Sequence, residues 1–317
     1  MKKDIGVTAA RYSTVLILVG LAVMFSLASG RFLSVGNLMN VVEQSSLLGI
    51  VAIGVTFTII SGGIDLSVGS LVAFCGALAA GFMSRNGIPL APALVFAVLA
   101  GAGLGLVNGL LVVKGGLQPF VATLAMMAIA RGLTLIYTRG DPISGMGESF
   151  TAIGSAVGPV PVPALIFVAV FILSHIVLQR TPFGAYVYAV GGNEETARLA
   201  GIPVNMIKLA SYVISGSLAA VGGIVLAARL WSAQPQAASG LELQAIAATV
   251  LGGASLMGGA GTTVGTFAGA LIMGVLANGL NLVGVSSYIQ QVITGAIFIL
   301  AVMLDMWTKR KERAGLG

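Results

Sequence analysis

Apolar residues run along almost the whole chain in long stretches that end at glycine, proline or charged residues. A helix needs roughly 20 apolar residues to cross a hydrocarbon core about 30 Å thick. The pattern therefore predicts an all-α polytopic membrane protein with about ten transmembrane helices. The predicted spans cover residues 13–29, 41–60, 66–84, 90–113, 119–138, 164–179, 208–228, 243–259, 263–282 and 288–306.

Basic residues are divided unevenly between the two ends of these spans. If the N-terminus is cytoplasmic and the spans alternate, eleven Lys and Arg residues lie inside and four lie outside, as the positive-inside rule describes. The inner set is Lys2, Lys3, Arg11, Lys114, Arg180, Arg198, Lys208, Lys309, Arg310, Lys311 and Arg313, and the outer set is Arg31, Arg85, Arg139 and Arg229. We therefore predict cytoplasmic termini and a single transmembrane domain, 1–317, with a membrane-embedded part at 12–306 and a basic cytoplasmic tail at 307–317.

The first span has an alternative interpretation as a cleaved signal peptide. Basic residues precede it, and Ser26–Ala28 imitates a cleavage site of small residues. We favour an uncleaved span, because more membrane spans follow it rather than a soluble domain.

Composition supports the membrane assignment and excludes other classes. Of the 317 residues, 57% are hydrophobic and 8% are charged, whereas soluble domains carry about 25% charged residues. The 45 glycines suit helices that pack closely through small residues. The net charge of +6 does not indicate nucleic acid, because the basic residues lie at span ends rather than on one soluble face.

Several kinds of catalytic chemistry are absent from the sequence. It contains no Gly-Lys dipeptide, and therefore no phosphate-binding loop of the Gly-x-x-x-x-Gly-Lys type, so the chain does not itself hydrolyse ATP in the usual way. Cys75 is the only cysteine and His175 the only histidine, which excludes an intramolecular disulfide and makes zinc catalysis improbable. We predict no catalytic residue, no metal site and no cofactor in this chain.

The inner connection at 180–208 carries signals for one short helix at 194–200. An N-cap residue is followed by two glutamates that the helix dipole favours, and the end is set by a C′ glycine and a proline. These residues are Asn193, Glu194, Glu195, Gly201 and Pro203.

A helix of this length is marginal in water, so something must hold it. One interpretation is a surface helix that rests on the membrane interface. The other is a docking helix that presents Ala197, Leu199, Ala200 and Ile202 to a cytoplasmic partner. In that case the candidate coupling residues are Asn193, Glu194, Glu195, Ala197, Arg198, Leu199, Ala200, Gly201 and Ile202.

Polar residues within or beside the spans are candidates for a solute route. Such groups are costly in lipid and usually face a partner or a water-filled path. The candidates are Glu43, Gln44, Ser45, Asn108, Gln118, Asn278, Asn281 and Gln290, and we predict that Glu43 and Gln44 face the route near its outer mouth. The alternative role is hydrogen bonding between helices, typically about 0.6 kcal/mol per bond.

Two shorter patterns complete the picture. In the loop after the second span, Gly62 and Gly63 interrupt one helix and Asp65 is predicted to cap the next. Asn-Gly-Leu occurs near the end of the fourth span at 108–110 and again near the end of the ninth at 278–280. An odd number of spans separates the copies, which hints at an inverted five-helix repeat of the kind found in transporters.

Four motifs, taken together and in order, resemble the permease subunits of bacterial ABC monosaccharide importers, and most of all the ribose-type members. The motifs are Ile60–Ser70, which includes Gly62, Gly63, Asp65 and Ser67; Gly191–Glu194 with Gly201 and Ile202; Ser232–Pro235; and Leu251–Leu256 with Gly258, Gly259 and Gly261.

This resemblance implies a multi-pass subunit of the bacterial inner membrane, surrounded by lipid. It implies a homodimer with the route at its interface, a periplasmic sugar-binding protein, and a separate cytoplasmic ATPase that carries ATP and Mg and receives the 194–200 helix. No partner is a nucleic acid. A stand-alone secondary transporter or facilitator remains the alternative; it needs no docking helix, and its uptake follows an ion gradient.

Overall fold

The computed structural model describes residues 2–314, with side chains described for residues 14–303 and 305–307. In this range the chain forms thirteen α-helices, one 3₁₀ turn and four two-residue strands. Helices α1 to α13 are Lys2–Ala28, Val35–Ile60, Val68–Ser84, Leu90–Val113, Pro119–Thr138, Glu148–Thr151, Val162–Arg180, Pro182–Gly192, Glu194–Leu199, Val204–Arg229, Leu241–Leu251, Thr263–Leu282 and Ser287–Ala314. Strands β1 to β4 are Ile143–Ser144, Ala156–Val157, Val160–Pro161 and Ser232–Ala233, and the 3₁₀ turn is Ala152–Gly154.

Each of the ten predicted spans overlaps one apolar helix. Among the described residues, seven helices are long and apolar enough to cross a membrane, namely α2, α4, α5, α7, α10, α12 and the part of α13 from Ser287 to Trp307. Shorter apolar helices are Thr14–Ala28 within α1, α3 and α11. The prediction of an all-α polytopic membrane protein is confirmed. The predicted tail at 307–317 lies largely outside the described side chains, and 315–317 lie outside the described residues, while α13 is helical to Ala314.

The prediction for the eighth span is wrong over its second half. Helix α11 has 11 residues and ends at Leu251, so it is about 16 Å long at 1.5 Å per residue and cannot cross the hydrocarbon core alone. Gly253 follows with a φ of +87°, and Gly258 and Gly259 have φ values of +83° and +72°. These left-handed conformations make 252–262 a loop.

Helix α2 lies at the centre of the bundle. Of its 26 residues, 17 are buried, including every residue from Leu48 to Ile60. It packs against α10, α12, α11 and α7, while α10 packs on its other sides against α4 and α3.

Glycines spaced by four let α4 and α10 approach each other closely. A β-carbon on Gly101 would overlap the Gly216 carbonyl oxygen, and one on Gly105 would overlap that of Tyr212. Gly109 packs in the same way against Leu209. Such small residues allow membrane helices to gain backbone packing that lipid does not provide.

The two long polar connections differ in structure. The outer one, between α5 and α7, contains the short helix α6 and three of the strands: β1 pairs with β4, with Ile143 opposite Ala233, and β2 pairs with β3. The inner one is mostly helical, since α8 and α9 fill it and α10 begins at Val204 rather than at residue 208. Thr181 starts α8 by accepting a hydrogen bond from the Gly184 N–H at 3.3 Å.

Candidate functional site

Helix α9 forms as its terminal signals predict, but it is one residue shorter. The Asn193 Oδ1 accepts the Thr196 N–H at 2.8 Å, which caps the first turn. Gly201 has a φ of +80°, and its N–H donates to the Arg198 carbonyl while the Ile202 N–H donates to that of Ala197, both at 3.0 Å. This pair of bonds is the Schellman ending of a helix.

Three contacts hold α9 on the protein. Ala197 is only 4% exposed, and Ile202 packs against the same core. Glu194 bonds to Lys208 of α10 and also to Arg198, at 3.0 Å. The prediction that Ala197 faces a partner is therefore wrong, because this residue packs against the helix bundle.

The other side of this segment is exposed and partly apolar. Leu199 is 81% exposed and Met206, in the first turn of α10, is 71% exposed. Ala200, between them in sequence, is also exposed. We call Leu199, Ala200 and Met206 the apolar patch; it is available for a protein contact because water alone gives such side chains no favourable partner.

The Glu194 carboxyl near the patch favours its ionised form. The hydrogen bond from Lys208 is the main cause that lowers the pKa of the Glu194 carboxyl below its ordinary value, and Arg198 adds to the effect. Glu195 on the same turn is exposed. The segment thus combines an apolar patch with a fixed pattern of charge.

Asp65 lies in a buried polar network rather than at a simple helix cap. Its Oδ1 accepts the Ser67 N–H at 3.0 Å and the Ser67 hydroxyl at 2.6 Å, and its Oδ2 accepts the Ser215 hydroxyl at 2.8 Å. The Asn108 amide donates to Ser67 at 2.9 Å. Helix α3 begins at Val68 with Ser67 as its N-cap, so the prediction that Asp65 caps this helix is wrong: the N–H that Asp65 accepts is that of Ser67, which precedes the helix.

This network joins α4, α10 and the loop before α3. Asp65 and Asn108 are both fully buried, and the glycines before them, Gly62 and Gly63, end α2 with N–H bonds to Ile59 and Thr58 at 3.0 and 2.7 Å. Asn108 therefore contacts other helices in this structure. Ser215 was not predicted, because its partner is 150 positions away in sequence.

Candidates on α2 and α12 also bond within the protein. The Asn37 and Asn278 amides donate to each other at 2.9 and 3.0 Å. Ser45 is buried, bonds to the Val41 carbonyl at 2.7 Å and occupies the space above Gly274. These contacts have the geometry of bonds between helices.

Glu43 is held by an ion pair between α2 and α10. Its Oε1 accepts from Arg229 Nε at 2.5 Å, with both side chains partly buried. Gln44 beside it is partly buried, and Gln118 is exposed at the N-cap of α5. The structure therefore does not bring the predicted route residues into one place.

A cavity does occur where α11, α12 and α13 meet. Its volume is about 200 Å³, and amide and hydroxyl groups form much of its wall. The polar lining residues are Gln244, Ser287, Gln290, Gln291 and Thr294. Among the predicted residues only Gln290 lines it, and its Nε2 donates to Asn281 Oδ1 at 2.7 Å.

Another polar contact within the protein involves an arginine in the middle of the predicted span 119–138. Arg131 of α5 donates from Nη1 to the Pro235 and Ala237 carbonyls at 2.7 and 3.0 Å. It thereby fixes the loop that follows β4, where the Ser232–Pro235 motif lies. Within the described residues no group of three or more His, Cys, Asp or Glu side chains is placed to hold a metal ion.

Comparison with known proteins agrees with this membrane architecture. Residues 37–302 match the family described as the permease component of branched-chain amino acid transport systems. The chain is 46% identical over 289 residues to the ribose import permease protein RbsC of Bacillus subtilis (strain 168), which covers 90% of this chain and 89% of that relative. It is 46% identical over 299 residues to the RbsC protein of Escherichia coli (strain K12), 92% of each chain.

A relative named for another sugar is also similar. The chain is 37% identical over 298 residues to the D-allose transport system permease protein AlsC of Escherichia coli (strain K12), which covers 93% of this chain and 91% of that relative. No solved structure matches the chain. The chain belongs to the family of transport-system permease components, and its likeness to the permease subunits of monosaccharide importers is confirmed.

Proposed function

We propose that this chain is the permease subunit of an ATP-driven importer that carries ribose or a related monosaccharide across the bacterial cytoplasmic membrane. The observation that carries the proposal is the similarity to ribose import permeases over nine-tenths of both chains. The solute would arrive on a periplasmic binding protein, so high affinity would belong to that protein and the permease would need only weak contacts.

A separate cytoplasmic ATPase would bind ATP and Mg and dock on α9. Three features support this: the sequence has no phosphate-binding loop, α9 is capped at both ends, and the apolar patch is exposed. ATP binding and hydrolysis on the partner would then bias an equilibrium between outward-open and inward-open forms. The chain itself would perform no covalent chemistry.

We further infer that a second copy of the permease covers α13 and that the route lies between the two copies. Only 6% of the span from Ser287 to Trp307 is buried, against 61% of the span in α2. The sparsely covered α13 forms part of the wall of the cavity, together with α11 and α12. Its amides offer both donors and acceptors, which suits the uncharged hydroxyl groups of a sugar.

The membrane topology completes the proposal. Cytoplasmic termini and a cytoplasmic coupling loop at 180–208 are supported by the charge bias of the sequence. Ten crossings would require α11 to cross together with the loop at 252–262, because α11 alone is too short. An inverted repeat remains a proposal that rests on Asn108 and Asn278, which lie at similar places in α4 and α12. We treat 1–317 as one permease domain.

Reconstitution tests the function directly. Proteoliposomes that contain the permease, its ATPase and its binding protein should take up labelled D-ribose only when ATP reaches the ATPase. Uptake driven by an ion gradient without the ATPase would establish the secondary-transporter alternative instead.

Matched glutamine variants test the route. Gln291→Leu removes a hydrogen-bonding group from the cavity wall, and at about 0.5–1.5 kcal/mol per bond it should slow uptake roughly threefold to tenfold. Gln118→Leu changes an exposed glutamine outside the cavity and should leave uptake unchanged. The reverse result would place the route beside α5.

A further inference from the structure

Three glycine-containing segments that are far apart in sequence meet at one point. They are the end of α2, the end of α8 and the loop at 252–262. The Gly259 N–H donates to the Ile60 carbonyl at 2.9 Å, and a β-carbon on Gly191 would overlap both atoms of that bond.

The contacts continue on the other side of this bond. A β-carbon on Gly258 would come within 2.6 Å of the Gly191 carbonyl oxygen and 3.0 Å of the Gly62 Cα. We call Gly62, Gly191, Gly258 and Gly259 the glycine junction.

Glycine serves two different purposes in the junction. Gly62, Gly258 and Gly259 have φ values of +82°, +83° and +72°, so their backbone conformation itself favours glycine. Gly191 lies in α8 and has no left-handed φ. What requires a glycine at position 191 is therefore only the close approach of α8 to the end of α2 and to the loop.

Only one residue, Asn193, separates helix α8 from α9. Asn193 ends α8 with an N–H bond to the Ala189 carbonyl at 3.1 Å and also caps the first turn of α9. No flexible linker separates the apolar patch from the junction. Tyr188 of α8 adds a second tie, since its hydroxyl donates to the Gly261 carbonyl at 2.7 Å.

On the far side, the loop at 252–262 is tied to α13. The Asp305 Oδ2 accepts the Ser255 hydroxyl at 3.3 Å and the Leu256 N–H at 3.2 Å. Helix α13 in turn supplies Gln290 and other residues to the wall of the cavity. Direct contacts thus run from α9 through the junction and the loop to α13.

We propose that the glycine junction transmits displacement of α9 to α13 and that Gly191 is the positioning residue on which this depends. The proposal rests on the function inferred above, because it assigns a route for the coupling between ATPase and cavity. A route of packed groups becomes a coupling path only if perturbing it changes the coupling itself. The experiment must therefore measure coupling separately from folding and docking.

Adjacent glycines provide a matched pair of variants. Gly191→Ala places a methyl group on the Ile60–Gly259 hydrogen bond, whereas a β-carbon on Gly192 meets nothing within 4 Å. In proteoliposomes with the ATPase and the binding protein, Gly191→Ala should lower the D-ribose transported per ATP hydrolysed about tenfold, within the usual range of coupling free energies. Gly192→Ala should match the wild type.

The readout separates coupling from damage to the fold. A purely structural role would lower uptake and ATP turnover in proportion to the amount of assembled complex, and the ratio of sugar to ATP would stay constant. That constant ratio would overturn the proposal. If the wild-type complex shows no ATP-dependent ribose uptake, the proposed function fails instead, so the two failures are distinguishable.

Asp305 provides an independent test if Gly191→Ala does not fold. Asp305→Ala removes the acceptor that ties the loop to α13, while Asp305→Asn keeps an acceptor oxygen. The alanine variant should lose transport per ATP, and the asparagine variant should recover most of it. Equal ratios in both variants and the wild type would refute transmission through the loop.

Discussion

Replacement of Leu199 by Asp is the sharpest perturbation of the proposed ATPase contact. This side chain is 81% exposed and contacts little within the chain. The substitution should therefore change the free energy of unfolding of the permease by no more than about 0.5 kcal/mol, as is usual for surface positions. Any large functional effect would then come from an intermolecular contact.

The expected loss of binding follows from the exposed area. Burying a leucine side chain contributes about 1.5–3 kcal/mol, and placing an unpaired carboxylate in the same contact adds a penalty. A total of at least about 3 kcal/mol corresponds to roughly 100-fold weaker binding of the ATPase. Leu199→Ala loses only part of the apolar contact and should weaken binding about tenfold.

The assay is the dissociation constant of purified permease and ATPase, together with ribose-stimulated ATP turnover. Leu117→Asp is a suitable control, because Leu117 is 42% exposed in the connection between α4 and α5, on the same predicted side. It should bind normally. If Leu199→Asp also binds the ATPase with unchanged affinity and transports normally, α9 is not the docking element.

Three further predictions test topology, helix bonding and pH dependence. In a chain without its native cysteine, a cysteine at Glu148 should react with an impermeant thiol reagent in intact spheroplasts, and one at Glu195 only after permeabilisation; the opposite labelling would invert the topology. Asn278→Leu removes both bonds between the two amides and leaves the buried Asn37 Oδ1 without its donor, although Asn37 Nδ2 keeps its bond to the Phe32 carbonyl; it should lower the thermal stability, by about 1–3 kcal/mol in the free energy of unfolding, with transport per folded complex unchanged. Glu194→Gln should weaken the attachment of α9 to the bundle at neutral pH. Because the folded pKa of Glu194 is lowered, this difference in stability from wild type should vanish as the pH falls below the ordinary carboxyl value of 4.5 and through the folded pKa. A difference that persists at that low pH would exclude the ion pair as its cause.

Local signals predict α9 well, and the reason lies in their short range. The cap at Asn193 and the left-handed Gly201 act within one or two turns, so the sequence alone contains both ends of the helix. The burial of Ala197 depends on which side of the helix meets the bundle. That depends on α10, which the spacing of residues in α9 does not describe.

Polar residues inside the membrane show more clearly what the sequence alone does not predict. Asn108 and Asn278 are each followed by Gly-Leu, yet one bonds to Ser67, 41 positions away, and the other to Asn37, 241 positions away. Spacing predicts that such amides need partners but not which partners they find. The end of α11 is a different case, since the adjacent Gly252 and Gly253 are a local signal for the end of a helix, and the predicted span continued past them to residue 259.

We expect helices with buried, hydrogen-bonded polar groups to move less than helices that leave most of their surface uncovered. The buried Asn278 is paired with Asn37 of α2, and the Nδ2 of the buried Asn108 is paired with Ser67, so moving these groups would break bonds that lipid cannot replace. Helix α13 packs against α11 and α12 but leaves most of its surface uncovered. Helices α2 and α10 are closely packed, whereas α13 has few contacts. We therefore expect conformational change to be concentrated at the cavity wall, which α13 helps to form. A tie such as that of Asp305 to the loop at 252–262 is then needed, because a helix with few contacts would otherwise move independently of the nucleotide state of its partner.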